Sequence, residues 1–157
     1  SGYDNSKFQI NTTDKSPPRA TGGRKYLPTL SDLVDRLTIV QQKMIFIPEK
    51  ADEYRHEREL ILSDIDLMLK ECQPVNAKAV LAICLISLTN RFIWENESLV
   101  RQGHHGTEER LHATHSVNGV RSTAKNRLAM VFGERKDLKV DCLAADLPPE
   151  LGNWDVF

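Results

Sequence analysis

The sequence has few cysteines and almost no net charge. Its three cysteines, Cys72, Cys84 and Cys142, are widely spaced and form no CxxC pair. This pattern argues against a cysteine-based zinc site and favours free thiols in a reducing compartment. The formal net charge is -1, so there is neither a basic field that would attract nucleic acid nor an acidic tail. We therefore expect no nucleic-acid partner.

The chain also lacks long hydrophobic runs and glycine-rich motifs. Its longest apolar run, residues 79–88, is about half the length that a bilayer-spanning helix requires, and no secretory signal opens the chain. No phosphate-binding glycine loop, GxSxG motif or Walker motif occurs. We expect a soluble, cytoplasmic protein with no membrane partner, and 157 residues suffice for one domain with a real core.

One stretch, residues 77–102, dominates the apolar pattern. Its first half has no polar face, which predicts a central helix that is buried on every side. In its second half the spacing between polar residues is four, three and four, which places them on one helical stripe. These residues are Asn90, Trp94, Glu97 and Arg101. The apolar stripe of this helix therefore continues as a row of amide, indole, carboxylate and guanidinium groups. This polar row is the best candidate for a functional site.

Two helices are predicted before this stretch. The first covers about residues 30–47, with Thr29 as N-cap, Asp32 in the capping-box position and Pro48 as the stop. The second covers about residues 50–71; it begins with a charged, solvated run and then presents apolar residues at helical spacing.

A fourth helix is predicted after a turn at residues 103–106. It covers about residues 108–132, with Thr107 as N-cap and Gly133 in the position of a C-terminal glycine. Asn76 is the expected cap of the central helix. The apolar stripe of the fourth helix is Ala113, Val117, Val120, Ala124, Leu128 and Val131. No strand pattern or internal repeat is present.

These elements predict an all-α fold. We expect a four-helix antiparallel bundle over residues 28–133, a flexible N-terminal arm at residues 1–27 and a C-terminal arm at residues 134–157. The N-terminal arm is too polar to bury enough apolar surface to offset its ordering entropy. Aromatic residues on both arms can anchor to the parent bundle or to another copy, so we expect a homo-oligomer that forms through the arms.

The predicted site lies where the central and fourth helices meet. Consecutive helices that a short loop joins are antiparallel neighbours, so their polar stripes should approach each other. Arginine and lysine would grip phosphate oxygens, tryptophan would stack, and asparagine would orient the ligand. The predicted ligand-binding residues are Asn90, Trp94, Arg101, Asn118, Arg121 and Lys125, with Glu97 and His115 as catalytic candidates. The alternative is a structural polar network in which Glu97 pairs with Arg101 or Arg121.

Two metal sites are alternatives to this interpretation. Carboxylates could hold magnesium, as in the MazG-type nucleotide pyrophosphohydrolases with their ExxE and ExxD helices, but neither motif occurs cleanly. The carboxylates concerned are Glu53, Glu57, Asp64, Asp66, Glu95 and Glu97. His112 and His115, one helical turn apart, could share a metal ion but have no third ligand at fixed spacing. The metal stays unknown, with magnesium as a possibility.

Three stretches resemble an uncharacterised all-helical family of bacterial and phage proteins, a domain of unknown function. They are residues 30–44, 90–101 and 111–128, with the motifs DRLxI, N-x3-W-x2-E-x3-R and H-x2-N-x2-R-x3-KN. The resemblance implies a helical fold and a polar signature of Asp35, Arg36, Lys43, Asn90, Trp94, Glu97, Arg101, His115, Asn118, Arg121 and Lys125. The family has acid pairs after the tryptophan, whereas this chain has Glu95-Asn96-Glu97-Ser98, which argues against a two-carboxylate metal site.

Two functions follow as hypotheses. The first is a soluble helical-bundle protein that binds a phosphorylated small molecule, a nucleotide or nucleotide sugar, and whose capacity to hydrolyse it stays open. In that case Glu97 or His115 would act as the general base. The second is a non-enzymatic assembly or regulatory protein of phage origin, whose terminal arms bind neighbouring subunits.

Overall fold

The structure, a computed structural model, describes residues 27–134 and 149–156. Four long helices form this part of the chain: α1 (Leu30–Phe46), α2 (Ala51–Leu69), α3 (Ala77–Arg101) and α4 (Thr107–Phe132). Short 3-10 turns lie at Pro48–Lys50 and Pro149–Leu151, and the described residues contain no strand. The prediction of an all-α fold with four main helices is confirmed.

The helices pack against one another as two pairs, α1 with α2 and α3 with α4. The contacts of the chain cluster into two compact units that divide between Cys72 and Gln73. Short connections make each pair an antiparallel hairpin. The predicted arm and bundle boundaries stay a prediction, because residues 1–26, 135–148 and 157 lie outside the described residues.

The α1/α2 hairpin begins at a complete capping box. The Thr29 hydroxyl accepts a hydrogen bond from the Asp32 backbone amide, and the Asp32 carboxylate accepts one from the Thr29 amide at 3.0 Å. Two orphan donors at the start of α1 are thereby satisfied, as predicted. Pro48 follows the helix and opens the 3-10 turn.

Long polar side chains join α1 to α2. Arg36 on α1 pairs with Glu57 on α2 at 2.9 Å, and this carboxylate is only 17% exposed. Nη1 of Arg58 donates to the Gln41 side-chain oxygen at 3.1 Å. The core of the unit consists of apolar residues of both helices, including Leu33, Val34, Val40, Ile61 and Ile65.

Helix α3 is buried on one face rather than on every side. Ala79, Ala82 and Ile86 are fully buried, whereas Leu81 and Leu88 are 45% and 58% exposed. The prediction of a helix that is buried all round is therefore wrong. Within its unit α3 has one long helical neighbour, α4, and a single neighbour covers only one side of a helix.

By length and composition alone, α3 could also cross a membrane. An 18-residue window within Ala77–Arg101 has a mean hydropathy of 1.4, and 39% of that window is buried within the structure. The core helix of a soluble protein meets the same criteria, so this is weak evidence for a membrane span. The expectation of no membrane-spanning helix considered only the uninterrupted apolar run 79–88, which is too short. A mean over 18 residues also includes the polar residues beyond that run, and α3 is apolar enough by this measure.

Helix α4 begins one residue earlier than predicted. Gly106, in a left-handed conformation with φ 78°, is its N-cap, and Thr107 is its first helical residue, so the prediction of Thr107 as cap is wrong. A left-handed cap position favours glycine over threonine. Gly133 ends the helix with φ 70°, as predicted, and Asn76 caps α3 by accepting from the Ala79 amide at 3.0 Å.

The described C-terminal segment returns to its own unit. The ring of Trp154 meets the ring of Phe92 on α3 edge to face, with 6.1 Å between centroids. Its indole N–H donates to the Leu151 carbonyl at 2.8 Å. This terminal aromatic residue therefore packs onto the chain that carries it.

Candidate functional site

An arginine held by two amides lies within the α3/α4 hairpin. Nη1 of Arg121 donates to the side-chain oxygen of Asn90 on α3 at 2.9 Å. Its Nη2 donates to the side-chain oxygen of Asn118, one turn earlier on α4. Asn90 is 3% exposed and Arg121 is half-buried. The guanidinium is thus fixed by one partner from each helix.

No carboxylate of the described residues neutralises this arginine. Its hydrogen-bond partners are neutral amides, and no ion pair to it occurs among the residues that the structure describes. Lys125 lies four residues further along α4, on the same side of the helix, and is half-buried. Arg121 and Lys125 therefore lie one helical turn apart on α4. The two amides that orient Arg121 carry no charge and do not neutralise it.

Trp94 lies one turn beyond Asn90 on α3. It is half-buried, and the Arg91 guanidinium lies 6.0 Å from the centroid of its ring. Arg91 also pairs with Glu95 at 2.9 Å. The indole is therefore close to the amide cluster in sequence, and a cation already lies near one of its faces.

The remaining predicted residues lie nearer to the turn that joins α3 to α4. Glu97, Arg101 and His115 are exposed, and Nη2 of Arg101 donates to the Ser98 hydroxyl at 3.2 Å. Arg101 follows Asn90 by eleven residues, which is about 16 Å along a helix axis. The structure thus joins Asn90, Asn118 and Arg121 by hydrogen bonds, and it does not join Arg101 to them.

The expected carboxylate pairing is not the one that the structure shows. Glu97 forms no ion pair with Arg101 or Arg121 within the described ranges 27–134 and 149–156. The polar network between α3 and α4 is built from amides instead.

A second interhelical network centres on Asn96, which is not among the residues predicted from the sequence. Asn96 is 8% exposed and donates to the Arg110 carbonyl at 2.6 Å and to the Thr114 hydroxyl at 3.1 Å. It follows the buried residues Thr89 and Ile93 by seven and three residues, so the three side chains lie on one face of α3. This spacing is visible in the sequence, but the predicted polar stripe runs through Glu97 instead.

The carboxylates and histidines do not assemble into a metal site. In the described part of the chain, no group of three or more His, Cys, Asp or Glu side chains could hold a metal ion. Glu57 is paired with Arg36 and Glu95 with Arg91. Burial raises the pKa of Asp64 above its ordinary value, but this carboxylate belongs to no such group among the described residues.

Comparison with known proteins adds no family. No protein-family model, no curated protein and no solved structure matches this chain significantly. The structure therefore shows a helical protein in which Arg121, Asn90 and Asn118 form a hydrogen-bond network between α3 and α4.

Proposed function

We propose that this protein binds a phosphorylated small molecule, a nucleotide or nucleotide sugar, at the α4 cations of the α3/α4 hairpin. Arg121 is the central residue of the proposed site. Asn90 and Asn118 position it, and Lys125 adds a second positive charge one turn away. Trp94, one turn beyond Asn90 on α3, would offer an aromatic surface for a base.

The observation that carries this proposal is the uncompensated charge of Arg121. A half-buried guanidinium is usually paired with a carboxylate, because a partly desolvated charge is costly without a counter-charge. Here two amide oxygens hold it in place instead. They occupy one N–H of each terminal nitrogen and leave the remaining guanidinium donors for an anion, to which arginine binds in a planar, bidentate manner.

The amides also explain why an arginine suits this position. A guanidinium whose orientation is already fixed loses less side-chain entropy when it binds than a freely rotating one. Lysine could supply the charge but not the fork. Anionic ligands with several oxygens, such as phosphate esters, fit such a donor better than simple halide ions do.

The test is a thermal-shift screen against nucleoside mono-, di- and triphosphates and nucleotide sugars, followed by calorimetry on any hit. A ligand at about 100 times its dissociation constant should stabilise the protein by roughly 2.7 kcal/mol. Arg121→Gln should then weaken binding by about 10- to 100-fold, because a hydrogen bond to a charged group contributes about 1.5–3 kcal/mol.

Arg127→Gln is the matched control. It removes the same charge from the same helix, but six residues further on and therefore from another face of α4. Its affinity should stay close to that of the wild type. If no phosphorylated compound shifts the melting temperature, or if both variants lose affinity equally, the binding site is not at Arg121.

Hydrolysis would be a separate property of the same site. His115 precedes Arg121 by six residues, about 9 Å along α4, and Glu97 is exposed on α3. Either could act as general base for a ligand that extends from Arg121 towards the end of the hairpin. Release of phosphate that depends on magnesium, and that His115→Gln abolishes without loss of binding, would identify an enzyme.

A second candidate function is assembly or regulation without catalysis. The exposed apolar side chains of α3 favour it, since a soluble protein rarely leaves such a surface uncovered. In this case Arg121→Gln would lower the stability of the unliganded protein and no phosphorylated ligand would bind. Association through the terminal arms is part of this candidate function.

Membership of the all-helical bacterial and phage family is part of the first proposal. Asn90, Asn118 and Arg121, which belong to two of its motifs, are hydrogen-bonded to one another, and this supports reading those motifs as one unit. A cytoplasmic, soluble protein agrees with a ligand of this class. Sequencing of further related chains would test whether the three residues are retained together.

A further inference from the structure

Three residues of α3 form a row that begins at Arg121, and we name it the α3 row. It consists of Asn90, Trp94 and Glu97, which follow one another by four and three residues and therefore lie on one face of the helix. Asn90 accepts the hydrogen bond from Nη1 of Arg121 at 2.9 Å. From this bond the row continues along α3 towards the turn that precedes α4.

The α3 row places an aromatic ring and then a carboxylate at increasing distance from the guanidinium. Trp94 lies about 6 Å beyond Asn90 along the helix axis, and Glu97 lies about 10 Å beyond it. Trp94 is half-buried, whereas Glu97 is exposed. The order along the row is therefore cation, indole and carboxylate, over a length comparable with that of one nucleotide.

Glu97 has the charge opposite to the one that a phosphate site needs. Its carboxylate repels the phosphate groups that Arg121 attracts, and it forms no ion pair with any residue that the structure describes. The neighbouring acid, Glu95, is by contrast paired with Arg91 at 2.9 Å. A ligand that contacts both ends of the row must therefore carry its negative charge at Arg121 and hydrogen-bond donors at Glu97.

We propose that the ligand is a guanine nucleotide, with its phosphate at Arg121, its base on Trp94 and the edge of that base at Glu97. This inference rests on the phosphate site proposed above and names the base of its ligand. Glu97 is then a specificity residue and not the general base. Stacking on an aromatic side chain accepts any base, so Trp94 contributes affinity without choosing among bases.

The carboxylate selects guanine because of the donors on the edge of this base. A carboxylate has two oxygens that only accept hydrogen bonds. Guanine presents two adjacent donors, its ring N–H and its 2-amino group, so both oxygens are used at once. Adenine presents a ring acceptor beside its 6-amino group, and this lone pair faces a carboxylate unfavourably. Cytosine and uracil each present a single donor group on this edge.

Calorimetry with guanosine, inosine and adenosine monophosphates tests the choice of base. The wild type should bind the guanosine compound about tenfold more tightly than the adenosine compound, which is the lower end of what a bidentate contact to a base edge contributes. Inosine keeps the ring N–H and lacks the 2-amino group, so its affinity should lie between the two. Equal affinities for all three would overturn the inference and leave the phosphate site intact. Binding of none of them would overturn both.

Two substitutions of Glu97 separate hydrogen bonding from charge. Glu97→Ala should remove the preference for guanine. Glu97→Gln should reverse it, because a glutamine amide offers one donor and one acceptor and so matches the edge of adenine. A preference for guanine that persists in both variants, or an equal change in affinity for all three nucleotides, would contradict recognition of the base by Glu97.

Glu108→Gln is the matched control. It removes an exposed carboxylate from the first turn of α4, at the same end of the hairpin, and should leave the preference unchanged. Arg121→Gln should weaken the binding of all three nucleotides by the same factor, since it acts on the phosphate that they share. Loss of the guanine preference in Glu108→Gln would assign the preference to net charge and overturn the inference.

Fluorescence tests the position of the base. In a Trp154→Phe variant, Trp94 is the remaining tryptophan. Guanosine monophosphate should quench the emission of this variant on binding, because the base stacks on the indole. Binding without a change in emission would show that the base lies elsewhere, and the proposed arrangement would be wrong.

Discussion

At the scale of single residues, Arg121 shows how neighbours decide what a charged side chain can do. Arg36 meets a carboxylate on the facing helix and is neutralised, whereas Arg121 meets the amides Asn90 and Asn118. The first arrangement ties two helices together. The second also ties them together, but it leaves a positive charge at the hairpin, and this is why the ligand proposal centres on Arg121.

Asp64 supports a residue-scale prediction about pH. Burial raises the pKa of its carboxyl above the ordinary value of 3.8. The folded state therefore holds this proton more tightly than the unfolded chain does, and folding is favoured most below pH 3.8. As the pH rises through the raised pKa, the carboxylate becomes charged in a partly desolvated place and this contribution is lost.

We therefore expect Asp64→Asn to raise the urea midpoint slightly at pH 7 and to have no such effect below pH 3.8. The measurement is urea unfolding at a series of pH values. Asp66→Asn, at an exposed position two residues away, serves as control and should change the midpoint at neither pH. A gain that is the same at all pH values would show that the charge of Asp64 is not the cause.

At the scale of elements, the caps define where the helices of each unit begin and end. Thr29 and Asp32 start α1, Asn76 starts α3, and Gly133 ends α4. All of these were predicted, because a cap is a local hydrogen bond or a local backbone angle. Gly106 was missed, since a glycine before a threonine offers two plausible caps and the backbone angle decides between them.

Gly133→Ala gives a prediction for the end of α4. An added Cβ would meet no atom within 4 Å, so the cost comes from the left-handed angle of 70° alone. We expect a loss of about 1–2 kcal/mol in the free energy of unfolding, measured in urea. Gly133→Asn is the matched variant and should lose less, because asparagine tolerates this conformation. Equal losses for both would mean that backbone conformation is not responsible.

Helix α3 shows why element-scale prediction fails when burial is inferred from composition. Its apolar first half was expected to be surrounded on every side. In the structure α4 covers one face and leaves Val80, Leu81 and Leu88 exposed. Composition shows that a surface prefers to leave water, but it does not show which neighbour covers it.

At the scale of the whole molecule, the helices form two compact units, each an antiparallel hairpin. Each unit has its own polar interhelical contacts: Arg36 with Glu57 in the first, and Asn90 with Arg121 in the second. A cap in one unit therefore shares no described partner with a cap in the other. Their effects on stability should be independent.

The double variant Thr29→Ala/Gly133→Ala tests this independence. Thr29→Ala should cost about 1 kcal/mol through loss of the α1 cap. The combined loss in urea unfolding should equal the sum of the single losses to within about 0.5 kcal/mol, as for distant sites without shared partners. Arg36→Met with Glu57→Met, two residues in direct contact, is the comparison and should deviate from the sum.

The helical class, the approximate bounds of four helices and most of their caps could all be predicted from the order of residues. These depend on interactions within four residues along the chain, which the order of residues specifies directly. It also placed Asn90 and Arg121 on facing stripes. That these two side chains meet while Arg101 lies elsewhere, and that one face of α3 is exposed, became evident only from the folded structure. Both outcomes depend on the register and number of neighbouring helices, which are set by long-range packing and not by local periodicity.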